Sequence, residues 1–195
     1  MRIHAGRPLK GGPLFVVLRY AAVMGTPELR VKRFDLGELS VVDSLTKLLA
    51  PAERWLASNE HSRDHAAWER AFGALTAGQR MLFAVNSLEM EVNSGGFENY
   101  FRSSGANAWR DAVKGLREIG APEAFGRALA ASLKVFPGGS PPEDWGKRDS
   151  ALDELTEEGD PFEEMDLLFF DSYGEKELGD FALEYVMKKE GEFLV

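Results

Sequence analysis

The sequence predicts an all-α fold, an irregular multi-helix bundle with a short N-terminal β-hairpin appendage. Three observations predict it. From about residue 38 apolar residues recur at helical spacing, glycine and proline punctuate the chain at helix-length intervals, and two capping pairs, Thr76/Gln79 and Ser140/Glu143, precede apolar runs. At 195 residues, 44% hydrophobic and 28% charged, the chain can build one ordinary domain plus a small addition. The division expected is a basic hairpin or extension over 1–36 and a helical domain over 37–195.

The hairpin rests on two β-branched or aromatic runs, 14–23 and 28–34, separated by the Gly/Pro turn "MGTP". An alternative start at Met24 would leave the upstream stretch without a role. Residues 40–57 read as a helix that Pro51 should break or kink near Ala50. Residues 63–73 give a second helix. Thr76 and Gln79 then open a third, running through Val92, with Met81, Val85, Leu88 and Val92 as its apolar stripe. Helices at 96–103, 106–119 and 122–136 follow, with Gly120 closing one and Pro122 opening the next. Ser140 and Glu143 should cap a helix of 141–158. Gly159 closes it, Asp160 caps a helix of 161–171, and a last helix occupies 175–190.

The stretch "EVNSGGFENYFRSSG", residues 91–105, is the most distinctive. Gln79, Asn86, Glu89 and Asn93 share one face of the preceding helix, so they should enter a hydrogen-bonded polar network. Gly95 suits the left-handed conformation that ends a helix, and Gly96 lets the chain turn closely. Phe97, Tyr100 and Phe101 then fall at i, i+3, i+4 and should pack on the core. The stretch reads as a rigid corner; its functional reading is a pocket lined by Glu89, Asn93 and Asn99.

Charge is distributed unevenly. Residues 1–139 carry 14 acidic and 18 basic side chains, whereas 140–195 carry 18 acidic and 5 basic, giving the overall −9. The acidic segment repels nucleic acid and anionic membrane and attracts basic protein surfaces. The absence of cysteine excludes a disulfide framework, a thiolate nucleophile and cysteine-ligated metal, and fits a reducing cytoplasm. "LFVVLRYAAVM" (14–24) is interrupted by Arg19 and too short to span a bilayer, so neither a secretion signal nor a membrane span is expected.

The segments "LEMEVNSGGFENYFRSSG", "GLREIGAPEAF" and "EMDLLFFDSYGEKELGDFALEYV" resemble the bacterial domain family named after a DNA-mimic protein. The resemblance covers roughly 64–194, with the Asn-x-Gly-Gly-Phe corner at Asn93, Gly95, Gly96 and Phe97 as its most recognisable part; Ser94 stands where Asn is often found. It implies an all-helical fold and, as partner, a basic DNA-binding regulator or nucleoid-type protein blocked in competition with DNA.

Enzyme chemistry finds little support. His61, His65 and Glu69 recur four apart with Asp64 nearby, but the His-Glu-x-x-His order is missing, so a solvated helix start is the favoured reading and no metal or other cofactor is expected. "GALTAGQR" has Gln and Arg where a phosphate loop needs Lys and Ser/Thr. The acidic segment is more informative. Asp149, Asp153 and Glu157 form one row four apart and Glu154 and Glu158 another, with carboxylates about 6 Å apart along a helix axis. Glu163, Glu164, Asp166 and Asp171 extend the series, followed by Glu175, Glu177, Asp180 and Glu184; the alternative for Asp166, which sits amid "MDLLFF", is a structural side chain.

The expectation is a cytoplasmic, non-enzymatic acidic protein whose Asp149, Asp153, Glu154, Glu157, Glu158, Glu163 and Glu164 bind a basic protein partner, with no direct binding of nucleic acid or membrane. The alternative is a small-molecule or metal-dependent enzyme using Glu89, Asn93 and His61/His65. The seven basic and two acidic residues of 1–36 offer a further contact with the acidic helices of the same chain or of a second copy, which would make a homodimer.

Overall fold

The computed structural model describes residues 28–59 and 64–195. They form eight α-helices: α1 Val41–Asn59, α2 His65–Gly73, α3 Ala77–Arg102, α4 Trp109–Glu118, α5 Glu123–Leu133, α6 Trp145–Thr156, α7 Glu163–Phe170 and α8 Leu178–Lys188. Short 3₁₀ turns at Ser104–Ala108 and Glu190–Glu192 complete the set. The all-α class is as the sequence predicts.

The amphipathic pattern of α3 explains its place at the centre. Leu82, Val85, Leu88 and Val92 are buried, and α1, α4, α6, α7 and α8 all pack on this helix. The predicted capping box forms, with the Thr76 hydroxyl accepting the Gln79 N–H at 3.1 Å and the Gln79 carboxamide accepting the Thr76 N–H at 3.0 Å. Pro51 does not break α1, which runs through it. A proline removes one backbone donor, while Leu48, Leu49, Ala52 and Leu56 hold both halves of this helix in the core.

The hairpin is not supported. Its first run, 14–23, lies outside the described residues; its second, 28–34, forms no strand, and there is none among the described residues. Val31 instead makes an isolated parallel bridge with Leu194, the Val31 and Arg33 N–H groups donating to the Phe193 and Val195 carbonyls at 2.7 and 2.9 Å. Burial of Leu29, Phe193 and Leu194 brings these two segments together beside the start of α3. There Gln79 donates to the Leu29 carbonyl, and the Glu192 carboxylate accepts the Gly78 N–H.

The start of α6 also differs. Asp144, not Ser140, is its cap, accepting the Lys147 N–H at 2.9 Å. Glu143 is drawn away to an ion pair with Arg110 at 3.2 Å, so the Ser140/Glu143 box does not form.

Candidate functional site

Two places collect the residues that the sequence singles out. The first is the bend in α3. Gly95 has extended φ (−175°) and Gly96 a positive φ of 73° with ψ −173°, so the left-handed turn belongs to Gly96 rather than to Gly95 as expected. The cause lies far along the chain. Asp166, in the first turn of α7, points its carboxylate at the bend and accepts the Phe97 N–H at 2.7 Å, capping the second half of α3. Burial raises its pKa, and the Phe97 hydrogen bond pulls it back. Asn99 donates across the bend to the Glu91 carbonyl at 3.0 Å and to the Glu91 carboxylate at 2.7 Å. Phe97, Tyr100 and Phe101 are fully buried, as the spacing implies.

On the outer side of α3, Tyr173 gathers the polar face. Its hydroxyl donates to Glu89 at 3.2 Å and accepts from the Asn93 amide at 3.0 Å. Only two of the four expected members join this network, Asn93 exposed and Glu89 half-buried; Gln79 bonds Thr76 and the Leu29 carbonyl instead, and Asn86 donates to the Met90 sulfur. Glu89 opens onto a groove of about 600 Å³ between α1, α3 and the start of α8. Val41, Leu45 and Leu49 form its apolar side; Glu53, Glu89, Glu177 and Asp180 supply carboxylates. Desolvation pushes the Glu89 pKa up; the Tyr173 hydrogen bond lowers it, and the charges of Glu177 and Asp180 raise it further.

A carboxyl whose folded pKa is raised favours folding below the unfolded value and loses that contribution as pH rises through the folded one. Glu89→Gln keeps an acceptor for Tyr173 and removes the charge. It is expected to raise the urea midpoint at pH 7 and to leave it unchanged below about pH 4, near the unperturbed glutamate value. An equal shift at both pH values would contradict this.

His65 is not part of this groove. It lines a separate small cavity with Asn107, Arg110, Glu143 and Arg148, its Nε2 lying 3.6 Å from Glu69 and 3.8 Å from Glu143. His61 lies outside the described residues. Among the described residues no group of three His, Asp or Glu side chains is placed to hold a metal ion, and no helix is long and apolar enough to cross a membrane.

The second place is the acidic stretch. Asp149, Asp153 and Glu154 lie on α6, with Asp149 half-buried and the other two exposed. The helix ends at Thr156, so Glu157 is its C-terminal cap and Glu158 falls in the following turn rather than on the expected helical row. Glu163 and Glu164 open α7, exposed, where the helix dipole favours negative charge. From Asp149 to Glu175 the chain holds eleven acidic and no basic residues. Arg102 reaches in from α3 to Asp153 at 2.9 Å.

Sequence reasoning missed Tyr173 and Glu53, which come from separate elements and share no motif with Glu89; it read Glu177 and Asp180 as part of the acidic series rather than as groove residues. Of the two readings of Asp166, member of the acidic series or structural side chain, its hydrogen bond with the Phe97 N–H supports the structural one.

A family model described as DMP19-like protein matches residues 73–189, more than half of the chain, so the chain belongs to that family. No curated protein and no solved structure matches it.

Proposed function

We propose that this member of the DMP19-like protein family is a non-enzymatic DNA mimic, binding the basic surface of a DNA-binding protein through the stretch from α6 into α7. Its ligand set is Asp149, Asp153, Glu154, Glu157, Glu158, Glu163 and Glu164. The observation that carries the reading is the last turn of α6. Asp153 and Glu154 sit at the negative end of the helix dipole with no basic residue in that turn. Each such placement costs about 0.3–1 kcal/mol at an exposed site. Arg102 offsets that cost at Asp153, whereas Glu154 makes no offsetting contact among the described residues, which supports a role for it outside the fold.

Chain continuity keeps these charges close. Glu157 and Glu163 are separated by a six-residue step, no more than about 20 Å even if extended. A basic groove that accepts duplex phosphates meets a comparable density of carboxylates there. Association of two highly charged surfaces is steered by their fields and weakens with salt.

The test is affinity capture from lysate at low salt, followed by elution with duplex DNA. A bound DNA-binding protein is expected to be displaced by the DNA and by raised salt. The combined variant Glu154→Gln, Glu157→Gln, Glu158→Gln, Glu163→Gln and Glu164→Gln should weaken the purified pair by at least about tenfold, through loss of charge complementarity. Unchanged affinity in that variant, with its helical content intact, would remove the proposal.

A further inference from the structure

The outer face of α7 holds two large apolar side chains open to solvent. Leu167 is 57% and Phe170 43% exposed; three positions apart, they stand side by side on the helix surface. Glu163, Glu164 and Asp171 are exposed too. They lie four before, three before and four after Leu167, so they border the same face. What holds α7 to the molecule is its opposite side, where Phe169 is fully buried and meets Phe97, Phe125 and Tyr173 edge to face.

An apolar centre inside a charged rim is the anatomy of a protein contact, in which a few large side chains enter a pocket and the rim excludes water. Here the rim selects the occupant. From Asp149 to Glu175 the chain holds no basic residue. A second copy laid face to face on α7 would set like charges against each other. Helices that lie on membranes carry Lys or Arg beside their apolar face, and this one carries carboxylates. A cationic protein surface is what complements it. We propose that Leu167 and Phe170 are the apolar anchor of a contact with a basic protein surface, seated in an apolar pocket there while Glu163, Glu164 and Asp171 pair with the lysines and arginines around it.

This rests on the reading above, that the α6–α7 stretch meets such a surface, and adds what carboxylates cannot supply. Duplex phosphates present charge without apolar side chains. The anchor therefore gives the contact a component that salt does not screen, and a preference for partners with an apolar pocket beside their basic groove.

The probes are two labelled helical peptides of equal length and charge, one of lysine with leucine at i, i+3, i+4 and i+7, the other with glutamine in place of leucine. Fluorescence anisotropy with the full-length protein gives their Kd across a salt series. The leucine peptide is expected to bind at least about tenfold more tightly, the scale of a buried hot spot. Leu167→Gln with Phe170→Gln should erase that preference and leave the salt dependence of both peptides unchanged, with helical content intact by circular dichroism. Val42→Gln with Met90→Gln, exposed apolar residues of the groove between α1, α3 and α8, should leave the preference in place. Equal affinity of the two peptides would overturn the anchor, as would a preference that survives the α7 variant or is lost in the groove variant. The five-carboxylate variant of the preceding section separates the two readings. If it weakens both peptides while the leucine preference is absent, the charged contact stands without the anchor; if it weakens neither, the charged contact falls as well.

Discussion

Gly96→Ala is expected to lower the unfolding free energy by about 3–5 kcal/mol, the sum of backbone strain and overpacking. At φ 73° and ψ −173°, Gly96 occupies a region essentially closed to residues with a side chain. A Cβ there would also lie 2.8 Å from the Asp166 Cγ, with the Oδ2 nearer still. Relief is blocked, because the Asp166 carboxylate is fastened to the Phe97 N–H. The neighbouring glycine provides the control. Gly95 is extended, and its nearest obstacle is the Asn99 Cβ at 3.0 Å, so Gly95→Ala should cost only about 1 kcal/mol. Urea denaturation followed by circular dichroism measures both, and similar losses for the two would refute this account of the bend. Asp166→Ala removes the overlap while leaving the φ requirement, so its effect combined with Gly96→Ala should be less than additive.

The bend shows where sequence reasoning reaches its limit. That a helix stops near residue 95 is readable, because two adjacent glycines and an i, i+3, i+4 aromatic set are local signals. Which glycine turns left-handed is decided by Asp166, seventy positions later, and no local pattern contains that fact. The same distinction holds elsewhere. The Thr76/Gln79 box is closed within four residues and forms as read, whereas Ser140/Glu143 has the same spacing and fails because Arg110 captures Glu143. Residues 28–34 have strand-like alternation, but their partner is the last three residues of the chain. The carboxylates of the groove converge from α1, α3 and the approach to α8. Their convergence is a product of packing, so sequence spacing carries no trace of it. The α6–α7 stretch is the opposite case: its charge is consecutive in the chain, and so was legible.

Arg148→Met is expected to cost about 3–5 kcal/mol, the range for uncoupling a buried charged network. Arg148 is 1% exposed. Its Nε donates to the Phe101 carbonyl at 2.8 Å, one terminal nitrogen to Asn107 Oδ1 at 2.8 Å and the Pro142 carbonyl at 3.2 Å, and the other to the Ser103 carbonyl at 3.3 Å. Burial lowers the guanidinium pKa, and the charges of Asp149, Tyr100 and Asp144 oppose that. The fork ties α6 and its preceding connector to the C-terminal end of α3. Methionine fills the space but leaves these acceptors unpaired in the interior, at about 1–3 kcal/mol for each that water does not reach. Arg148→Lys keeps a charge without the planar fork, so its loss should be smaller but still above about 1 kcal/mol. Amide hydrogen exchange in Arg148→Met should accelerate most over 137–156, the segment that the fork fastens. That segment carries Asp149, Asp153 and Glu154, so the same variant should also weaken partner binding while every carboxylate remains in place. A loss of stability under 1 kcal/mol, with exchange unchanged over 137–156, would show that α6 is held by its apolar contacts alone.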